Sequence, residues 1–313
     1  MPSRIKIAAG FLVIYLTWGS TYLAVRLAIE TVPPFLMVGV RSLIAGLLLC
    51  ALAHARGASL PTRTEWRGAL IVGLLFFVGC HGLLAWAQRG VETGFAALML
   101  ATVPLWVPLL DWLRGARPTG RVVAALAIGF LGVALLIGAS RGLSAAGSDP
   151  LAVAVLLVSA LSWALGSVLA RALALPKSVT QAAGLELLLG GAVLLGVSVA
   201  SGELAGFDVG AVSGRSALAI AWLAAVGSVL GFTVYGWLLR VAPPARVATY
   251  AYVNPVVAMA LGWWLLGEPV TVAMLVASAL ILAAVVVALA DRPLGPALRQ
   301  LPSRLARFVL TLG

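Results

Sequence analysis

Charge is what this sequence has least of. Asp, Glu, Lys and Arg make up 10% of its 313 residues, against roughly 25% in a soluble domain, so the chain lacks the polar side chains that a water-facing surface needs. Cysteine is nearly absent. Cys50 and Cys80 both fall inside apolar runs, which excludes a disulfide framework and any zinc-ligand spacing. The two histidines, His54 and His81, lie far apart, and neither a metal site nor a cofactor is expected. No GxxxxGK[ST] phosphate loop occurs, so ATP would have to act through a partner. One catalytic pattern matches, G-x-S-x-G at Gly138-Ala139-Ser140-Arg141-Gly142. It closes an apolar run, whereas the motif requires a strand turning sharply into a helix, so the match reads as accidental. Converging acids for a membrane-embedded hydrolase or transferase are missing too, and the chain does not read as an enzyme.

What is present is apolar: 62% of the residues are hydrophobic. Runs of about 20 residues, enough to span a ~30 Å hydrocarbon core, occur near 7–26, 34–54, 68–88, 93–113, 121–140, 151–174, 180–201, 216–239, 246–266 and 270–290. The expected fold class is therefore an all-α integral membrane protein with ten transmembrane helices. The first run follows Arg4 and Lys6, yet it is too long for a signal peptide and has no small-residue cleavage site, so it reads as the first span. The net charge of +11 raises nucleic acid as a partner, but the basic residues are sorted by side. With the N-terminus inside, sixteen of the 21 Lys and Arg are cytoplasmic, four (Arg26, Arg89, Arg141, Arg215) are external and Arg41 lies within a span. The positive-inside rule puts both termini in the cytoplasm, and nucleic-acid binding is not expected.

The chain repeats itself. Trp86, Arg89, Pro104 and Pro118 recur 151 residues later as Trp237, Arg240, Pro255 and Pro269, and Trp18, Arg26 and Arg41 align at an offset of 145 with Trp163, Arg171 and Glu186. The change of offset implies about six extra residues in the loop 202–215 of the later copy. Rare residues matching in register indicate an internal duplication. The domains expected are a first repeat over 1–143, a second over 144–290, and a basic amphipathic tail over 291–313 suited to the inner leaflet. Five spans per copy is an odd number, so the copies should be inverted, with a site at their interface. The loop at Pro118 carries Arg114, Arg117 and Arg121, whereas that at Pro269 carries only Glu268, in keeping with inversion. Pro104 and Pro255 fall mid-run. Each leaves a carbonyl four residues earlier, Leu100 or Ala251, without its helix partner, and inside a bilayer that carbonyl must be met by protein or by a wet cavity. Helix breaks at Pro104 and Pro255 therefore point to a central binding site, although a packing kink is the plainer explanation of either one alone.

Polar residues inside the spans are few. Ser20, Thr21 and Ser167 flank the aligned tryptophans and serve either helix packing or a ligand. Arg41 and Glu186 are the intramembrane charges; Arg41 either snorkels or faces a cavity, and Glu186 either sits near the interface or takes and releases a proton. His81, in Gly79-Cys80-His81-Gly82, suits a proton relay or a bond to a backbone carbonyl. The ninth span opens with the densest polar cluster, Thr249-Tyr250-Ala251-Tyr252-Val253-Asn254-Pro255. Trp106, Trp222 and Trp237 are candidates for an aromatic cavity, and Trp112, Trp263 and Trp264 for interfacial belts. Gly129, Gly132 and Gly138 in the fifth span suit tight packing or a homodimer face.

Three stretches carry a resemblance: Trp18-Gly19-Ser20-Thr21-Tyr22, Gly39-Val40-Arg41, and Tyr250 to Pro255 followed by Gly267-Glu268-Pro269. Residues 7–290 resemble the drug/metabolite transporter superfamily, specifically its EamA-type exporters. The resemblance implies two inverted five-helix repeats in a bacterial inner membrane, exporting small solutes by alternating access, with the lipid bilayer and a small-molecule substrate as partners. The first copy departs from the Gly-Glu-Pro ending with Ala116-Arg117-Pro118. The expected substrate site comprises Trp18, Thr21, Tyr22, His81, Trp163, Tyr250, Tyr252 and Asn254 between the first, third, fourth, sixth, eighth and ninth helices, with His81 or Glu186 carrying any coupled proton. A lipid flippase is the alternative function, and an intramembrane enzyme a more remote one.

Overall fold

Helix starts in this chain are marked by side chains that meet the free N–H groups of the first turn. In the computed structural model, which describes residues 3–113, 115, 118–143, 149–242, 247 and 249–290, such starts open α1 (Arg4–Ala28) at Ser3, α3 (Arg63–Ala87) at Thr62, α6 (Pro150–Leu169) at Asp149, α7 (Val179–Ala200) at Ser178 and α8 (Gly214–Val241) at Ser213. Thr119 and Thr271 do the same for α5 (Gly120–Leu143) and α10 (Val272–Ala290). Each cap contributes on the order of 1 kcal/mol. The remaining elements are α2 (Pro34–Ala55), α4 (Thr93–Leu113) and α9 (Tyr250–Leu266). The described residues contain no strand. Helices α1 to α8 are long and apolar enough to cross a membrane, and α9 and α10 are shorter apolar helices. Their starts and ends follow the apolar runs closely. The tail 291–313 lies outside the described residues.

Two helices borrow their caps from far along the chain. The Glu203 carboxylate accepts from Phe35 N and Leu36 N at the start of α2, at 3.1 and 2.9 Å. Glu268 accepts from Thr93 N and Gly94 N at the start of α4, at 2.8 and 3.3 Å. These contacts explain the Gly-Glu-Pro segment. Gly267 ends α9 in the left-handed region with φ 68°, which only glycine adopts freely, and the reversal turns Glu268 back onto α4. A carboxylate there satisfies two orphan donors and opposes the positive end of the helix dipole.

Helices α3 and α8 are not α-helical throughout. Leu74–Gly82 and Leu223–Leu230 are π-helical, so the hydrogen-bond ladder shifts register in the middle of each span. The loosened carbonyls find partners. His81 Nδ1 lies 2.8 Å from Phe76 O, and the Ser228 hydroxyl donates to Leu223 O at 3.0 Å, each reaching back five residues. Carbonyls of both segments also accept from a neighbouring helix: Leu75 O from the Ser162 hydroxyl of α6 at 2.8 Å, and Gly227 O from Trp18 Nε1 of α1 at 3.0 Å.

The main packing pairs are α2 with α7, α5 with α10, α4 with α9, α1 with α8 and α9, α6 with α3 and α4, α3 with α7, and α2 with α8. Exchanging the five helices of one half for those of the other leaves this set unchanged. Glycines set the closest seams. Gly39 faces Leu195, Gly46 faces Gly184 and Leu188, and Gly184 faces Cys50, so α2 and α7 run antiparallel. Gly129 faces Ala284, and Gly132 faces Ile281 and Ala277, so α5 and α10 are antiparallel as well. The glycines Gly129 and Gly132, expected to suit either tight packing or a homodimer face, are used inside the chain. Large apolar side chains cover the exterior, among them Leu47, Trp112, Trp263 and Trp264, as a hydrocarbon surrounding requires.

Candidate functional site

Between these helices lies a cavity of about 260 Å³. Trp18, Thr21 and Tyr22 of α1, Arg41 of α2, Cys80 and His81 of α3, Trp163 and Ser167 of α6, Ser228 of α8, and Tyr250 and Asn254 of α9 all face it. Both halves of the chain contribute. So do Leu100 and Pro104 of α4 and Ala251 and Pro255 of α9, the two prolines together with the two residues whose carbonyls they deprive of a partner.

The two prolines act differently. Near Pro104, α4 divides into Thr93–Leu100 and Val103–Leu113, separated by Ala101 and Thr102. Around Pro255 the helix runs unbroken from Tyr250 to Leu266. The expected break at Pro255 is therefore corrected to a proline held inside a continuous helix. Pro255 lies in the second turn, so little helix precedes it to be displaced, whereas a full two turns precede Pro104.

Seven of the eight substrate residues expected from the sequence come together: Trp18, Thr21, Tyr22, His81, Trp163, Tyr250 and Asn254. Tyr252 does not. Two residues beyond Tyr250 on a helix, it points away, and its hydroxyl reaches Val285 O on α10 at 3.4 Å. Of the proton candidates, His81 borders the cavity, whereas Glu186 is buried on α7 with its backbone against Gly73 and is not part of the lining. The expectation for Trp106, Trp222 and Trp237 as an aromatic cavity is also corrected. Trp222 is exposed and donates to Ser20, Trp106 donates to Thr102 and packs on Phe130, and Trp237 covers Gly10. None of the three lines the cavity.

Aromatic contacts hold the walls. Trp18 meets Tyr250 edge-on at 4.7 Å and Phe232 at 5.7 Å, and Trp163 stacks on Phe76 at 4.3 Å with its edge toward His81 at 5.3 Å. A carbonyl can only accept, so the bond to Phe76 O puts the His81 proton on Nδ1 and leaves a lone pair on Nε2. The hydroxyls of Thr21 and Ser167 donate to carbonyls of their own helices, Trp18 O at 2.6 Å and Trp163 O at 2.8 Å. Outside the spans, the Glu92 carboxyl next to the start of α4 is pushed above its ordinary range by burial first and by neighbouring Glu268 second. Among the described residues no group of His, Cys, Asp and Glu could hold a metal ion.

Residues 5–138 and 150–290 each match the EamA-like transporter family. The chain belongs to that family. Among relatives of this EamA-family chain, the inner membrane transporter YedA of Escherichia coli (strain K12) is 35% identical over 292 residues, covering 91% of this chain and 90% of that one. Protein PecM of Dickeya dadantii (strain 3937) is 30% identical over 86% of this chain and 88% of its own length. The transporter YvbV of Bacillus subtilis (strain 168) is 28% identical over 90% of each. A solved structure aligns over 91% of this chain and 97% of its own with a TM-score of 0.62 at 22% identity, a likeness of fold.

Sequence reasoning about this EamA-family chain missed one lining residue that matters, Arg41, which it left between snorkelling and facing a cavity. The available signal was the absence of any other charge in the second span. It also missed the π-helical segments. Their traces are the glycines Gly79 and Gly82 beside His81, and Gly227 and Gly231 beside Ser228, but glycine is too common here, at 34 residues, for that pattern to stand out.

Proposed function

We propose that this chain is a secondary carrier of a bacterial inner membrane, exporting small solutes by alternating access. The carrying observation is the cavity itself, enclosed by helices from both halves and lined by both mid-helix prolines. Ten spans in two inverted repeats account for it best. Equivalent helices α2 and α7 pack antiparallel, as do α5 and α10, and self-pairing of that sense requires a two-fold axis lying across the helices, in the membrane plane. Such an axis lets one half rock against the other around a fixed central site. Trp18, Thr21, Tyr22, Tyr250 and Asn254 contact the solute, with Trp18 and Trp163 closing around it. His81 is the group at the cavity able to carry a proton.

Purified protein in proteoliposomes, screened for solute accumulation with and without a pH gradient, tests this reading. The expected result is accumulation of a small solute that Trp163→Ala and Asn254→Ala reduce at least tenfold. Unchanged transport in both variants, or movement of labelled lipid without any soluble solute, overturns it. Gradient dependence that survives His81→Gln removes the proton role.

A further inference from the structure

The cavity wall holds a single formal charge. Arg41 is 4% exposed and borders the cavity from α2, and no Asp or Glu is among the lining residues. Its guanidinium is poorly met by the protein. Nη1 reaches the Ser228 oxygen at 3.4 Å, a long contact, and buried Nε has no partner among the described residues. Ser228 already donates its hydroxyl proton to Leu223 O, so it offers Arg41 only a neutral oxygen. The other intramembrane charge does not answer it. Along the antiparallel α2–α7 seam, Gly39 meets Leu195 and Gly46 meets Leu188, so Arg41 lies level with residue 193, about seven residues and roughly 10 Å from Glu186 at 1.5 Å per residue.

A guanidinium stays protonated under all working conditions and cannot relieve its burial by losing a proton. A buried cation without a counter-charge is costly, and its fork of donors matches a carboxylate geometrically. The surrounding surface is apolar and aromatic, from Trp18, Phe77, Trp163 and Tyr250. A second lining residue carries an orphan, the Asn254 side-chain oxygen, buried and without a partner among the described residues.

We propose that the solute is a small organic anion, a carboxylate on an aromatic or branched apolar body, and that Arg41 binds its carboxylate. This assignment rests on the carrier reading of the cavity. The aromatic walls hold the body, and Asn254 accepts from a donor on the solute where it has one. At about 260 Å³ the cavity falls just short of pockets that take drug-sized ligands, roughly 300–1,000 Å³, so the body is no larger than one or two rings. Cations are disfavoured, because they would meet Arg41 with no acid to offset it.

The test is binding to the full-length protein in detergent, by calorimetry, of phenylacetate and 3-phenylpropanoate beside their uncharged amides and the matching phenylalkylammonium ions. The carboxylates are expected to bind at least tenfold more tightly than amide or amine. Arg41→Gln should bring carboxylate and amide to within twofold of each other while amide binding persists, which also reports that the variant is folded. Arg41→Lys should recover part of the preference. Wild-type protein that binds none of the carboxylates, or binds an amide or amine as tightly, overturns the assignment whatever becomes of the variants. A carrier whose anion assignment is wrong still transports some neutral or cationic solute in a manner sensitive to Trp163→Ala and indifferent to Arg41→Gln. Failure of the carrier reading removes the Trp163 dependence too.

Discussion

Residues two positions apart on α9 divide sharply in what they face. Asn254 borders the cavity and has a buried oxygen with no partner among the described residues, while the Tyr252 hydroxyl reaches a carbonyl of α10. Tyr252→Phe therefore loses one long hydrogen bond, a change of about 1 kcal/mol or less, and leaves transport within twofold of wild type in a vesicle assay. A tenfold loss would mean that Tyr252 does reach the solute. The sequence placed both residues in one polar cluster because spacing alone does not reveal which face of an apolar helix is inward when the helix is apolar all round. A different residue-scale effect belongs to Glu92. Its carboxyl is raised above the ordinary value of 4.5, by burial and then by Glu268. A folded-state value above the unfolded one means that the folded chain holds the proton more firmly across that window. Stability is then highest below it and declines as pH rises through the raised value. Glu92→Gln should flatten this decline, read as the melting temperature over an interval of rising pH that starts at 4.5. A wild-type melting temperature that climbs with pH over that interval, and does so through Glu92, contradicts the assignment.

At the level of elements, what the sequence made legible was existence and extent. Apolar run lengths mark the helices because that signal is local. The remote caps are not local: Glu203 and Glu268 stand 168 and 175 positions from the N–H groups they meet, and only the folded chain brings them together. Glu268→Gln keeps an acceptor but loses the charge, and should lower stability by about 1–2 kcal/mol, with Glu203→Gln doing the same at the other site. Equilibrium unfolding in detergent measures both, and a shift of less than about 0.3 kcal/mol in each would deny them a capping role. The π-helical segment of α8 makes a further demand on side-chain size. A Cβ at Gly231 would run into Trp18 Nε1, the atom that donates to Gly227 O. Gly231→Ala should therefore break that bond and reduce transport, with a destabilisation of about 1–3 kcal/mol. Exposed Gly196, with nothing near its missing Cβ, should accept alanine at no cost, or with a gain of up to about 1 kcal/mol. Equal effects at the two positions would leave the π-helical contact without significance.

For the whole molecule, the duplication was legible because tryptophan and proline are scarce enough for matches at a fixed offset to carry weight, as Trp86 with Trp237 and Pro104 with Pro255 do. The orientation of the copies is a property of packing, and glycine seams express it: Gly46 against Gly184 between α2 and α7, Gly132 against Ala277 between α5 and α10. Two copies inserted in the same sense would be related by an axis along the membrane normal, and a helix paired with its own equivalent across such an axis runs parallel to it. On the proposed inverted arrangement, which the antiparallel seams support, equivalent loops emerge on opposite sides. Ser59, in the loop between α2 and α3, corresponds at the offset of 151 to Gly210, beside Val209, which is 76% exposed between α7 and α8. With Cys50 and Cys80 replaced by alanine, single cysteines at Ser59 and Val209 should react with a membrane-impermeant maleimide from opposite faces of intact cells. The Val209 site is expected to label from outside, and the Ser59 site only after the membrane is opened. Labelling of both from one face would place the axis along the normal and remove the rocking motion on which the proposed alternating access depends.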